Sequence, residues 1–577
     1  MSQFTKEQTN LNAAFNFDKK LGDWNVGGFI RGEYYNNFEQ SSSMNTNGGL
    51  IVPGQYFLGN SKNSVSYDGS IEGEKRMLSA AFQGSISWKD QVYLDITGRN
   101  DWSSALVYSD KHGDYSYFYP SVSGSWLIHE TFDLPKVISF AKVRASWAQV
   151  GNDTDPYIIN TAYSLGTSAT GNGNVYSLSL PTTVYSNNLK PERKNAWEIG
   201  LDWRFFGNRI GIDATYYKEN TKNQIMTIAV PYVSGISSQK INAGNIQNQG
   251  IEIALNTIPF ENKDWKWNVN FTYTKNNNKI IALHKNVANY ITLDGTPDYG
   301  NYRIGSVAKV GASYGILMSD SKKAIDQATG LPILNWNNSH RATYYKRSGK
   351  VEEVGSLIPD FLGSLSTGLT YKNWSLNASL DMRFGGMVAS YGSRYGTAYG
   401  YTKSSLQYSS PKHGGKTWTS KFDNMTYDDG VIPEGIILAG TQISQANGST
   451  YTVAQGGETF KDLYAKGIVE PTHASAWQYR LNSWGAGVVN DSWVSKLNYI
   501  ALREVSLNYR VPQLFCHKFG ANSINLTLTG RNLGYLLNNM PNGENPESVR
   551  GTSATEFRVR TFSGYTANYM FTINASF

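Results

Sequence analysis

Few residues in this chain have both the type and the spacing that chemistry needs. The seven histidines, His112, His129, His284, His340, His413, His473 and His517, are scattered. None forms an i, i+4 pair or a Cys/His spacing that would hold a metal. The one cysteine, Cys516, has no partner for an internal disulfide and reads as inert packing. There is no phosphate-binding loop and no G-x-S-x-G elbow for a nucleophile. Carboxylates recur in mid-segment at two-residue spacing, which suits a solvated wall better than a glycosidase pair. Asp423, Asp428 and Asp429 lie in DNMTYDDG without the ligand spacing of a dedicated calcium loop. No catalytic residue, metal site or cofactor is expected, and the chain does not read as an enzyme. What remains is recognition. The segment of about 385–492 carries Trp418, Tyr427, Trp477, Tyr479 and Trp484. Ring faces in a loop on a rigid scaffold can receive a sugar or peptide. The same rings can pack the core of so long a loop, and packing is the preferred reading.

The elements that must position these residues are strands. Tyr569, Phe571, Ile573, Ala575 and Phe577 alternate with Met570, Thr572, Asn574 and Ser576. Successive strand side chains point to opposite faces, so one face is apolar and the other polar. Trp197, Ile199, Leu201, Trp203 and Phe205 alternate with Glu198, Gly200, Asp202 and Arg204, and after Gly207-Asn208 the pattern resumes at Ile210, Ile212, Ala214 and Tyr216. Trp265–Thr274, Leu376–Phe384 and the pair Leu78–Trp88 and Val92–Gly98 repeat it. The polar faces hold full charges: Asp95, Arg99, Glu198, Asp202, Asp213, Glu252 and Asp381. The strands run about ten residues or more, as a tilted membrane crossing requires.

Composition agrees. Aromatics make up 13% of the 577 residues and charged residues 17%, with 38 Tyr and 56 Gly. Tyr and Trp suit a membrane–water boundary. The mean hydropathy of −0.42 excludes a bundle of membrane helices but not a barrel, whose strands are half polar. The net charge of +7 is spread without a basic stripe, so nucleic acid is not an expected partner. The connections alternate in length. Short ones fall near Lys19–Asp23, Lys89-Asp90, Gly207-Asn208, Phe260–Asp264, Lys372-Asn373 and Pro512–Ala521. Long ones fall near 38–75, 102–116, 151–191, 276–302 and 385–492. Short periplasmic turns and long outside loops are the habit of outer-membrane barrels. The expected fold is all-β: an antiparallel transmembrane β-barrel region over 1–577, with about sixteen strands and a long extracellular insertion at about 385–492. Segments 220–247 and 303–316 are ambiguous. Tyr569, Phe571, Ile573 and Phe577 form a terminal pattern of the kind read by the bacterial barrel-assembly machinery.

Several ordered strings carry a resemblance: Tyr119–Trp126 (YPSVSGSW), Lys142–Asn152 (KVRASWAQVGN), Leu189–Glu192 (LKPE), Trp197–Tyr217 (WEIGLDWRFFGNRIGIDATYY), Asn242–Asn256 (NAGNIQNQGIEIALN) and Gly530–Leu533 (GRNL). Together, over nearly the whole chain, they resemble the SusC/RagA-like TonB-dependent outer-membrane transporters of Bacteroidota. For the strings themselves, turns and strand starts without ligand contact are the preferred reading. Asn248-Gln249-Gly250 reads as the opening of a strand.

The resemblance implies a barrel of about 22 strands, an N-terminal plug, a TonB-engaging segment and a SusD-like lid lipoprotein outside. It implies uptake of oligosaccharides or peptides. No plug, TonB-engaging segment or export signal is read in this chain, so it is expected to be the C-terminal barrel portion, with TonB acting through a plug region outside it. An open edge at Thr9–Phe17 would leave backbone groups unpaired in lipid. Either that strand pairs with Tyr569–Phe577 in a smaller barrel, or the chain is partial, and the partial chain is favoured. The expected partners are the lid lipoprotein, TonB, the assembly machinery, a glycan or peptide, and outer-membrane lipid. A plugless passive porin and a surface adhesin or carbohydrate-binding β protein remain the alternatives.

Overall fold

The computed structural model describes residues 2–160, 162–170, 173–230, 235–285, 287, 289–297, 303–482, 488–490, 493–548, 556–559 and 564–577. Among the described residues, sixteen strands form one large sheet. Fifteen lie in chain order: Ser2–Leu21, Trp24–Leu50, Ser61–Trp88, Val92–Ser103, Ser116–Leu127, Ile138–Asn152, Glu192–Phe205, Ile210–Ala229, Ser238–Glu261, Trp265–Leu283, Phe361–Tyr371, Trp374–Phe384, Tyr499–Arg510, Ser523–Asn538 and Asn568–Ser576. The sixteenth, Thr183–Tyr185, pairs in parallel with Ser238–Lys240. Tight turns of backbone in the left-handed region close several hairpins. Lys89 and Asp90 have φ of 51° and 54°, the signature that matches the twist of the flanking strands.

Alternation decides which side chains meet which medium. Leu94 and Ile96 are exposed, as are Trp197, Ile199, Leu201, Leu376, Leu507, Leu528, Phe571 and Ile573. In water such a band would be a large aggregation hazard; against lipid it is the correct surface. The intervening residues carry the polar and charged groups. Asp95 lies opposite Ser85 on one side and Ser123 on the other. Aromatic pairs sit beside the short turns: Trp24 with Trp88 at 6.5 Å, Trp265 with Tyr371 at 4.3 Å, and Trp374 with Tyr509 at 4.4 Å. This is where an interfacial girdle belongs.

The connections differ from expectation in instructive ways. The expected loop at 38–75 is mostly paired ribbon. Trp24–Leu50 runs 27 residues and is hydrogen-bonded to Ser61–Trp88 as far as Leu50 and Ser61, leaving only 51–60 between them. That exceeds the roughly 9–11 residues of a tilted crossing. Ser- and Asn-rich sequence hides the pairing because both faces of the outer ribbon are wet. Gly250 lies within the strand Ser238–Glu261 and not at its start. In the ambiguous 220–247 segment, 220–229 and 238–247 lie in two long strands.

The chain divides into two compact units, Met1–Ile251 with Lys279–Asn289, and Glu252–Asn278 with Tyr290–Phe577. In the first, Tyr108, Ile159 and Leu189 form a small core, and Leu189 belongs to the LKPE string. In the second, Tyr290–Thr296, Ile304–Lys309, Ile316–Ser319 and Glu352–Ser356 form a four-stranded sheet, which places the ambiguous 303–316 segment. A larger core gathers Leu334, Val431, Ile437, Ile443, Phe460, Leu463 and Trp477. Cys516 is fully buried, with its thiol donating to the Val511 carbonyl at 3.4 Å.

Candidate functional site

The polar face of the sheet carries clusters of hydrogen-bonded charged and hydroxyl side chains in each unit. In the first, Arg99 bonds the Glu33 carboxylate at 3.1 Å, Asp101 at 2.7 Å and the Ser79 hydroxyl at 2.8 Å. The Tyr119 hydroxyl donates to Asp101. Lys75 bonds Asp153 at 2.5 Å, and Ser103 donates to the same carboxylate. Further along, Arg144 holds Asp213 through two bonds of 3.0 and 2.7 Å and reaches the Thr215 hydroxyl at 2.6 Å. Gly200 lies directly opposite Arg144, and an added Cβ there would come within 2.6 Å of the guanidinium, so the glycine makes room for it. Several of the charges that the strand period places on this face are thereby paired, within a strand as in Arg99–Asp101 or across strands as in Arg99–Glu33 and Arg144–Asp213.

In the second unit the wall contains an irregularity. Both ladders that flank Tyr499–Arg510 skip a residue at Arg503: Ser379 pairs with Glu504 but Leu380 with Leu502, and Leu502 pairs with Gly534 but Glu504 with Arg531. Asn532, opposite the bulge, has φ of 52°. Bulges re-aim side chains. Here Arg503 reaches Asp381 at 2.6 Å and holds Glu547 through bonds of 2.7 and 2.5 Å. The Tyr535 hydroxyl lies 2.8 Å from both Glu547 and Asn545 and has one proton to donate between them. The GRNL string therefore builds a bulge against an ion cluster. Sequence reading missed Arg503, Glu547 and Tyr535, and the signal was the break in alternation at Arg531–Gly534.

The connection that supplies Asn545 and Glu547 is pinned elsewhere too. Ser390 caps the helix Tyr391–Ala398 by accepting from the Ser393 amide at 2.9 Å. Its hydroxyl donates to Glu544, which is 2% exposed. Burial pushes the Glu544 carboxyl up to about 7. Glu547 is held below its ordinary range by its hydrogen bonds from Arg503.

The aromatic candidates fall as follows. Trp418 is 9% exposed, packed 5.2 Å from the ring of Tyr427 and 5.0 Å from His473. Tyr427 is half-buried and donates to Asp423 at 2.8 Å. Trp477 is 5% exposed and lies edge-on to Tyr345. Tyr479 is exposed beside Tyr399. Trp484 lies outside the described residues. Asp429 accepts from the Ala474 amide and pairs with His473, while Asp423 accepts from the Met425 amide. Among the described residues no three His, Cys, Asp or Glu side chains come together to hold a metal. Tyr569, Phe571 and Ile573 pair with Gly530, Leu528 and Leu526 and stand exposed.

Comparison with known proteins gives a consistent picture. Residues 2–419 match the family described as TonB dependent receptor-like, beta-barrel. The chain is 28% identical over 308 residues to TonB-dependent receptor P26 of Formosa agariphila, covering 51% of this chain and 30% of that one. It is 27% identical over 311 residues to TonB-dependent receptor SusC of Bacteroides thetaiotaomicron, covering 51% and 30%. The matched part spans less than a third of the length of these two relatives. The fold matches that of the RagAB peptide transporter with a TM-score of 0.68 at 15% identity, over 100% of this chain and 56% of that one.

Proposed function

From the premise that this chain belongs to the TonB-dependent receptor β-barrel family, SusC/RagA-like and resident in the outer membrane, we propose that it forms barrel wall of a nutrient importer energised through TonB. The observation that carries this reading is the two-faced sheet. An exposed apolar band suits lipid, and the opposite face is lined by paired charges such as Arg99–Glu33 and Arg503–Asp381. Such a wall suits passage of a polar solute and offers no set of reacting groups. TonB engages a plug region of the same importer, and a SusD-like lipoprotein closes it from outside. The cargo is an oligosaccharide or a peptide. RagAB, whose fold this chain shares, is a peptide transporter, and SusC is a relative.

The packed segment around Phe460, Leu463 and Trp477 supports a rigid outer platform for the lid. Native protein solubilised from outer membranes should carry a lipoprotein partner at equal stoichiometry, and deletion of about 400–480 should remove it while the barrel still folds. Recovery of the folded barrel without any partner from wild-type membranes would favour a passive porin.

A further inference from the structure

The bulge at Arg503 borders a cavity of about 330 Å³ on the polar face of the second unit. We propose that this cavity is a subsite for one uncharged, hydroxyl-rich ring, a neutral sugar residue of the cargo. The proposal rests on the importer reading and deepens it.

Three features point to this ligand. First, the cavity has aromatic walls. Tyr535 and Tyr565 meet edge to face, with centroids 5.4 Å apart at 83°, and Tyr565 is half exposed. Ring faces of this kind receive the C–H face of a sugar, and Tyr hydroxyls serve its rim. Second, beside the paired Arg503 and Glu547 its polar lining is made of amides and hydroxyls: Asn532, Asn545, Thr566 and Asn568. These donate and accept in equal measure, as a polyol requires. Third, the one cation lining the cavity among the described residues is already engaged. Arg503 is shared between Glu547 and Asp381. An anionic cargo would have to displace a carboxylate from that guanidinium. Specificity here works by refusing anions as much as by accepting hydroxyls. The left-handed backbone at Asn532 and the bulge at Arg503 are the devices that open the cavity in an otherwise regular ladder.

The test uses the full native protein, purified from outer membranes with its partners. Probes are neutral gluco-, manno-, galacto- and fructo-oligosaccharides of six units, with trilysine and triglutamate as charged controls, read by calorimetry. The variants are Tyr565→Leu, which removes ring and hydroxyl, and Asn532→Gly, which keeps the backbone conformation and removes the amide. At least one neutral oligosaccharide should bind, each variant should weaken it about tenfold or more, and the charged peptides should not bind at this site. Binding of no neutral oligosaccharide, equal binding by both variants, or variant-sensitive binding of a charged peptide would each overturn the proposal. Failure here with intact TonB-dependent uptake leaves the importer reading standing. Sugar binding without any TonB-dependent uptake removes the importer reading and keeps the subsite.

Discussion

Ile199→Arg should destabilise the folded barrel in bilayers by about 2–4 kcal/mol, the cost of a cationic side chain on the lipid face near the midplane. Ile199 is 64% exposed in mid-strand, within the exposed run Trp197, Ile199 and Leu201. Its cross-strand neighbours are Ala145 and Tyr216, and neither supplies a counter-charge. Moving one position across the pleat reverses the environment. Ser146 lies directly opposite Glu198 on the polar face, so Ser146→Arg gains a carboxylate partner and should change stability by less than about 1 kcal/mol. Guanidinium unfolding in phospholipid vesicles measures both. Equal effects of the two arginines would mean that the faces are not lipid and water, and the barrel account would fail.

The second large effect is on pH. Glu544 has an ordinary value of 4.5 and is raised to about 7 in the fold, chiefly by burial. A raised acid stabilises the fold fully while it is protonated below 4.5. That advantage is lost as pH rises through about 7. At pH 8 the charged form costs on the order of 3 kcal/mol. One carboxylate oxygen, Oε1, has no hydrogen-bond partner among the described residues and would bear that charge in a buried place. The connection around Pro541–Gly543 should therefore loosen as pH rises from 5 to 8. Amide exchange, corrected for its intrinsic pH dependence, should show protection near Glu544 falling about a hundredfold. Glu544→Gln should abolish that fall. An equal fall in the Gln variant would assign the loosening to another group.

The sheet was legible because lipid on one face enforces the strand period over long runs. Every residue from Trp197 to Phe205 is committed to one medium or the other, and a one-residue slip would place Asp202 in hydrocarbon. The outer ribbon at Glu39–Leu50 was not legible as strand, since with water on both faces nothing selects alternation. Trp418 and Trp477 could be found by composition, but their burial depends on partners far along the chain, His473 and Tyr345. The Arg503 cluster was hidden for the same reason. Its members Asp381, Arg503, Tyr535 and Glu547 come from four separate stretches, and only the irregular GRNL string marked the place. Glu544 gave no sequence signal at all. Its raised carboxyl follows from burial against Ser390, which lies 154 residues earlier.

The most direct test of the central claim is uptake by intact cells that carry the native protein. Cells are given labelled oligosaccharide or peptide cargo before and after a protonophore collapses the inner-membrane gradient. The account predicts that uptake through this protein stops when the gradient is lost, as it should when TonB is deleted. Uptake that continues unchanged after collapse would contradict it and identify a passive pore.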